Sequence, residues 1–226
     1  MRRKSQTARS AKQRTTILLV DDHPLVRERL AEIINREADL TVCGEAEDRH
    51  EALAAISKKR PDLVIVDLTL KTSDGLELIK DVHSRWPKMP MLVVSMHDES
   101  LYAERVIRAG ALGYITKQEA TRKILLAIRR VLAGSIYLNE GIATHIISRL
   151  TVRAGSAAAT PADRLADREL QVFDLTGRGL NTSEIAGRLH IAVKTVETYR
   201  ARIREKLKLK DSSELLQWAI SWTHGR

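Results

Sequence analysis

Pro61-Asp62-Leu63-Val64-Ile65-Val66-Asp67-Leu68 decides the fold of this chain. Four apolar, mostly β-branched residues run without a break between a Pro-Asp pair and a carboxylate. Such a run reads as a strand buried on both faces, as in a parallel sheet. Ligands of parallel sheets gather at the carboxyl ends of the strands, where Asp67 stands.

Working outward, the same signal recurs. Thr16-Ile17-Leu18-Leu19-Val20 is a second buried run, ending in Asp21-Asp22. Pro24 then suits the first turn of a helix carrying Leu25, Val26, Leu30, Ile33 and Ile34. A short strand at Leu40 to Cys43 and a helix opened by Asp48 precede the Pro61 strand. Beyond it come the turn Thr72-Ser73-Asp74-Gly75, a helix through Leu76 to Val82 and a strand from Met89 to Ser95. A helix from Asp98 to Arg108, the strand Tyr114-Ile115-Thr116 and a helix from Glu119 to Ala133 complete the series. Strands alternating with helices predict a doubly wound, five-stranded parallel α/β sheet covered on both faces.

The tail of the chain reads differently. Ile142, Ile146, Ile147 and Leu150 suggest a short connecting helix, and Ala154 to Pro161 a low-complexity linker. From Leu165 four helices are expected: Asp167 (as N-cap) to Gly177, Thr182 to Leu189, Val193 to Leu207 and Ser212 to Trp222. The expected organisation is a disordered basic tail at 1–14, an α/β domain at 15–134, a linker with a short helix at 135–163 and a small all-α domain at 164–226.

Charge follows this division. The formal net charge is +9. Residues 1–14 hold six Lys/Arg and no acid, residues 15–134 are close to neutral, and residues 164–226 hold twelve bases against eight acids. Basic ends around a neutral middle suggest nucleic acid as a partner of the C-terminal part. No apolar run approaches the roughly 20 residues that span a bilayer. The N-terminal tail lacks the apolar segment of a secretory signal. Cys43 is alone, which gives neither a disulfide framework nor a cysteine metal site. A cytoplasmic protein without membrane contact is expected.

Two strand ends carry acids, Asp21-Asp22 and Asp67. Carboxylates brought together repel, and an oxygen-preferring divalent cation such as Mg²⁺ relieves them. Ser95 closes the fourth strand and Lys117 the fifth. A hydroxyl and an ammonium at that edge suit phosphoryl oxygens, which makes Asp67 a candidate nucleophile forming an aspartyl phosphate.

In the all-α part, Ser183-Glu184-Ile185-Ala186, Leu189-His190-Ile191 and Thr195-Val196 form a helix-turn-helix pattern. Lys194, Arg200, Arg202, Arg204, Lys206, Lys208 and Lys210 face only Glu197 and Glu205. So basic a helix suits a major groove. Leu215, Leu216, Ala219 and Ile220 offer an apolar stripe, for dimer contact or for packing on their own domain.

Val20-Asp21-Asp22-His23, Val66-Asp67-Leu68, Val93-Val94-Ser95 and Gly113-Tyr114-Ile115-Thr116-Lys117 together resemble the flavodoxin-like receiver domain of two-component response regulators. Leu165-Ala166-Asp167-Arg168-Glu169, Gly179-Leu180-Asn181, Glu184-Ile185-Ala186 and Thr195-Val196-Glu197-Thr198-Tyr199 resemble the LuxR-type DNA-binding domain. Receiver followed by this domain resembles the NarL/FixJ class. The resemblance implies that Asp67 accepts phosphate from a sensor histidine kinase. It implies that Asp21, Asp22, Asp67 and the backbone carbonyl of Thr69 hold Mg²⁺, that Ser95 and Tyr114 are the switch pair, and that Lys117 contacts the phosphoryl group. It places Lys194, Thr195, Glu197, Thr198, Ala201 and Arg202 at double-stranded DNA, with a homodimer as the active form. For a regulator gated by phosphate, the unphosphorylated receiver is expected to mask the recognition helix or the last helix. The family commonly has Met-Pro soon after the acceptor; Leu70-Lys71-Thr72 stands here.

Two rival readings exist. An aspartyl-phosphate phosphatase also places Asp after an apolar strand, but it wants a second Asp two residues on, where this chain has Thr69. A regulator that ignores phosphate and uses its receiver only for protein contacts would not need all the acids and Lys117. The expectation is a DNA-binding regulator, not an enzyme.

Overall fold

The computed structural model describes residues 14–71, 73–97, 99–144 and 164–224. The expected disordered tail (all but its last residue), the Ala154–Pro161 linker and most of the connecting helix lie outside them; residues 140–144 are helical.

The α/β domain runs β1 (Thr15–Val20), α1 (Pro24–Asn35), β2 (Leu40–Ala46), α2 (Arg49–Lys59), β3 (Leu63–Val66), α3 (Gly75–Arg85), β4 (Met91–Ser95), α4 (Glu99–Ala109), β5 (Gly113–Thr116) and α5 (Lys117–Leu132). The sheet order is β2-β1-β3-β4-β5, and every pairing is parallel. The order reverses between β1 and β3, so their carboxyl ends, with Asp21, Asp22 and Asp67, are neighbours.

Period-two alternation distributes the strands between two cores. Ile17, Leu19, Leu63, Ile65, Leu92 and Val94 pack with Leu30 and Ile34 of α1 and with Ile124, Ala127, Ile128 and Val131 of α5. Leu18, Val20, Val64, Val66, Met91 and Val93 pack on the opposite face with Ile56 of α2, Ile79 of α3 and Val106 of α4. Both faces are dry, which is why these strands read as continuous apolar runs.

Local signals set the helix starts. Asp48 accepts from Glu51 N at 2.9 Å, Asp74 from Leu76 N at 2.9 Å and Thr116 from Glu119 N at 3.3 Å. Past α5 the chain does not leave the sheet at once. Tyr137 pairs in parallel with Gly113: Tyr137 N donates to Leu112 O and Tyr114 N to Tyr137 O, both at 2.9 Å.

The C-terminal part holds α6 (Asp167–Gly177), α7 (Thr182–Arg188), α8 (Val193–Leu207) and α9 (Ser212–His224). Asn181 caps α7 by accepting from Ser183 N and Glu184 N, and Glu184 accepts from Asn181 N at 2.8 Å, a reciprocal capping box. Leu170, Phe173, Ile185, Leu189, Val196, Ile203, Leu215 and Ala219 form the core.

Three expectations change. Ala166, not Asp167, is the N-cap of α6; Asp167 is its first helical residue, and its carboxylate is engaged by cations of the receiver. The apolar stripe of α9 divides: Leu215 and Ala219 are buried in their own domain, whereas Leu216 and Ile220 are exposed. Arg200 turns inward, donating to Thr182 Oγ1 at 2.9 Å and to Leu180 O at 3.3 Å.

Among the described residues no helix is long and apolar enough to cross a membrane.

Candidate functional site

Oxygen and nitrogen ligand atoms of Asp21, Asp22, His23 and Asp67 all lie within 4.8 Å of one another. The strands bring them there: Asp67 N donates to Val20 O at 2.8 Å and Asp21 N to Ala46 O at 3.1 Å, so both acids leave the sheet in register. Arg27, from α1, fixes the first acid's backbone. Its guanidinium donates to Asp21 O at 2.6 Å and is held by Glu45 and Glu47 at 2.8 and 3.0 Å.

Lys117 reaches in from the start of α5. Its Nζ lies 2.7 Å from Asp21 Oδ2 and 2.8 Å from Asp67 Oδ2. Burial works against its charge, but the carboxylates of Asp67 and Asp21 outweigh it and hold the ammonium's pKa above its ordinary value. Burial pushes the Asp67 carboxyl up; Lys117 opposes this, and Asp21 adds to it. Asp67 is 3 % exposed, and its Oδ1 has no hydrogen-bond partner among the described residues. Asp22 Oδ1 likewise makes no hydrogen bond, although His23 Nδ1 is 2.6 Å away. Buried carboxylate oxygens with spare lone pairs, crowded on one edge, fit a hard divalent cation that takes one or two carboxylates and keeps waters.

The other expected residues are at the same edge. Ser95 is fully buried, and its Oγ accepts from His97 N at 3.3 Å. Tyr114 is also fully buried and donates from its hydroxyl to His97 O at 2.9 Å. Thr69 pairs with Asp74 across the loop that replaces the Met-Pro of the resemblance, and Leu70 is buried beneath it. Gly75 closes that loop. A Cβ built there would stand 1.9 Å from Asp67 O and 2.7 Å from Leu68 Cα, so only glycine lets α3 start against the acceptor's backbone. Gly75→Ala is expected to cost about 3 kcal/mol and to lower the thermal midpoint by about 10 °C; calorimetry checks this, and an unshifted midpoint refutes it.

His97 was not anticipated. It is buried, its Nε2 is 3.0 Å from Thr69 Oγ1, its ring lies tilted against that of Tyr102 with centroids 4.8 Å apart, and its Nδ1 lies 4.0 Å from Asp174 of α6. One signal was available: His97 follows the end of β4 by two residues, as Thr69 follows Asp67.

The two parts of the chain meet here. Asp167 is 2.8 Å from Lys80 Nζ and 2.5 Å from Arg105 Nη1, Arg105 also donates to Leu165 O at 2.7 Å, and Arg168 approaches Asp74 at 3.3 Å. His190, in the turn between α7 and α8, places Nε2 3.0 Å from Asp22 Oδ2. A cavity of about 440 Å³ lies between, lined by Asp67, Thr69, His97 and Lys117 from one side and by Gly187, Arg188 and His190 from the other.

Of the residues expected at DNA, Lys194, Glu197, Thr198, Ala201 and Arg202 are exposed and Thr195 is half-buried, all on α8. The receiver covers neither this face nor Leu216 and Ile220 of α9. The expected masking of the recognition or final helix is therefore not what the structure shows; α6 and the α7–α8 turn make the contact instead, because the cations and acids that pair across the boundary lie there.

The family model for the response regulator receiver domain matches residues 17–129, and that for bacterial regulatory proteins of the luxR family matches residues 163–219. The chain belongs to the two-component response regulators of the NarL/FixJ class, a receiver domain followed by a LuxR-type helix-turn-helix DNA-binding domain. Among its relatives, the oxygen regulatory protein NreC of Staphylococcus aureus is 32 % identical over 208 residues, 90 % of this chain and 96 % of that one. A LuxR-family response regulator from Aurantimonas sp. SI85-9A1 is 34 % identical with a TM-score of 0.57, covering 62 % of this chain and 99 % of that one. RcsB from Salmonella enterica serovar Typhimurium, solved on a promoter with the phosphomimetic BeF3-, shares the fold at 22 % identity and a TM-score of 0.60, over 92 % of this chain and all of that one.

Proposed function

We propose that Asp67 accepts a phosphoryl group from a sensor histidine kinase and that the resulting aspartyl phosphate controls DNA binding by the C-terminal domain. The observation that carries this reading is the spare Oδ1 of a buried Asp67, paired through its other oxygen with Lys117. An Asp67 oxygen attacks phosphorus, the bond from phosphorus to the donor's imidazole nitrogen breaks, and that nitrogen keeps the electron pair. Asp21, Asp22, Asp67 and the backbone carbonyl of Thr69 would hold Mg²⁺, which when bound neutralises charge on the phosphoryl oxygens. Lys117 is placed to follow the phosphoryl oxygens with its ammonium.

Ser95 and Tyr114 transmit the change. Both hydroxyls are bonded to the backbone of His97. The Ser95 side chain rotates to donate its hydroxyl to a phosphoryl oxygen, which carries Oγ away from His97 N and releases the loop holding His97 beside α6. In the docked arrangement the receiver holds the α7–α8 turn, which leads directly into the groove-entering end of a recognition helix. In this reading the docked receiver leaves the side chains of that end exposed but stands beside the turn before it and hinders a duplex sterically. Once released, two copies bind DNA with half-sites about 10 bp apart or a multiple, and Leu216 and Ile220 offer the dimer contact. Such a protein acts in the cytoplasm, where its DNA is. DNA binding measured with and without acetyl phosphate, for wild type and Asp67→Asn, tests the reading. A wild type that binds equally in both conditions, matching the variant, favours the regulator that ignores phosphate.

At the DNA face, Lys194, Thr195, Glu197, Thr198, Ala201 and Arg202 make the contacts in this reading. Glu197 is exposed, has no ion pair among the described residues and does not pair with Arg200, which is engaged elsewhere. A free Glu accepts from cytosine N4. Glu197→Ala is expected to relax base preference at one position by about 1–3 kcal/mol. Selection of binding sites from random duplexes measures this, and identical selected sequences would reject it.

A further inference from the structure

The geometry points to His190 as a latch: the docked DNA-binding domain competes with a divalent cation for Asp22. This rests on the reading of Asp21, Asp22 and Asp67 as a cation site, to which the buried, unpartnered Asp67 Oδ1 adds an observation beyond the clustering of acids.

His190 Nε2 sits 3.0 Å from Asp22 Oδ2, across the boundary between the two domains. Its backbone has φ 51, the left-handed region that a residue with a Cβ adopts at a cost. The turn enforces it, with His190 N on Gly187 O at 3.4 Å and Ile191 N on Ala186 O at 3.0 Å. The imidazole is therefore delivered by a fixed turn rather than by a mobile loop. A divalent cation of the Mg²⁺ type needs carboxylate oxygens near 2 Å and room for several waters. Asp22 has His23 2.6 Å from one oxygen and His190 on the other. His23 belongs to the receiver and can rearrange with its loop. His190 reaches Asp22 only while the DNA-binding domain is docked, so docking and the cation draw on one oxygen. This competition needs occupancy of the oxygen, not a charge on the ring.

Linkage makes the effect reciprocal. Docking weakens the cation, and the cation, before any phosphoryl group arrives, loosens docking. The receiver would then meet its phosphodonor with the mouth of the cavity already opened.

The experiment uses the full chain and Mg²⁺ alone, without phosphodonor. His190→Gly removes the ring and suits the left-handed backbone, so the turn is kept. His190→Asn is the second variant, also compatible with that conformation. Calorimetric titration is expected to show Mg²⁺ binding about fivefold tighter or more in both variants than in wild type. X-ray scattering is expected to show wild type expanding on saturation with Mg²⁺ and the variants already expanded. Equal or weaker affinity in the variants, with binding that is still lost in Asp22→Asn, overturns the latch and leaves the cation site standing. Mg²⁺ binding that survives both Asp22→Asn and Asp67→Asn, or that is absent from every form, overturns both.

Discussion

Asp67→Asn is expected to take up no phosphoryl group from acetyl phosphate, while the unphosphorylated variant is more stable than wild type above the raised pKa of Asp67. Intact-mass measurement reads the first effect and thermal unfolding the second. An amide is no nucleophile toward phosphorus; Asp21 is as buried and also touches Lys117, but its Oδ1 already accepts from His23 N at 2.9 Å, whereas Asp67 Oδ1 is spare. The gain in stability follows from desolvation. Burial holds the Asp67 carboxyl above its ordinary pKa even beside Lys117. A group raised in the folded state contributes stability below its unfolded pKa, and that contribution is lost as pH rises through the folded value. Above the raised pKa of Asp67 the wild type carries the full cost. The neutral isostere removes it, and Lys117 keeps Asp21 as partner. A gain of about 1 kcal/mol is expected. It should shrink as pH falls through the raised pKa of Asp67. A variant no more stable than wild type would mean that Lys117 fully compensates burial. Phosphorylation of the variant would remove Asp67 from the chemistry.

The second large effect concerns the boundary between the domains. Asp167→Asn should raise the affinity of unphosphorylated protein for a selected duplex about tenfold, close to 1.4 kcal/mol. Asp167 is one-fifth exposed and serves two receiver cations, Lys80 and Arg105. Partly buried, charge-assisted contacts of this kind exceed what open surface pairs supply. If only a fraction of molecules is undocked, apparent affinity scales with that fraction. Weakening the dock therefore appears directly as tighter DNA binding, with no change at the DNA face. Asn keeps a polar residue in the first turn of α6, so helix stability changes little. Anisotropy titration with labelled duplex decides; an unchanged affinity would show that the ion pairs do not restrain the domain.

Much of the receiver site was legible because strand ends are legible. A β-branched run that stops at an acid marks both a buried strand and its carboxyl end, so Asp21, Asp22 and Asp67 could be placed on one edge before any coordinates. Ser95 and Lys117 followed from the same rule. What stayed hidden depends on contacts between distant segments. Nothing local shows that Arg27 holds Asp21, that His97 gathers Ser95, Thr69 and Tyr114, or that His190 reaches Asp22. Arg200 misled for a different reason. In a helix rich in cations it looked like another phosphate contact. Yet Val196, Arg200 and Ile203 are spaced four and three apart, which puts Arg200 on the buried stripe. Asp167 had the composition of a cap, but a first-turn acid serves equally well as a partner for cations beyond its own domain.

The pairing of Tyr137 with Gly113 bears on how the halves are joined. A fragment trimmed at Gly134 would strip the outer rim of β5 and leave a raw seam inviting another sheet. In the intact chain the tether to the output half is stitched to that rim at Tyr114. The switch tyrosine and the first residues of the tether thus share a backbone hydrogen bond, from Tyr114 N to Tyr137 O.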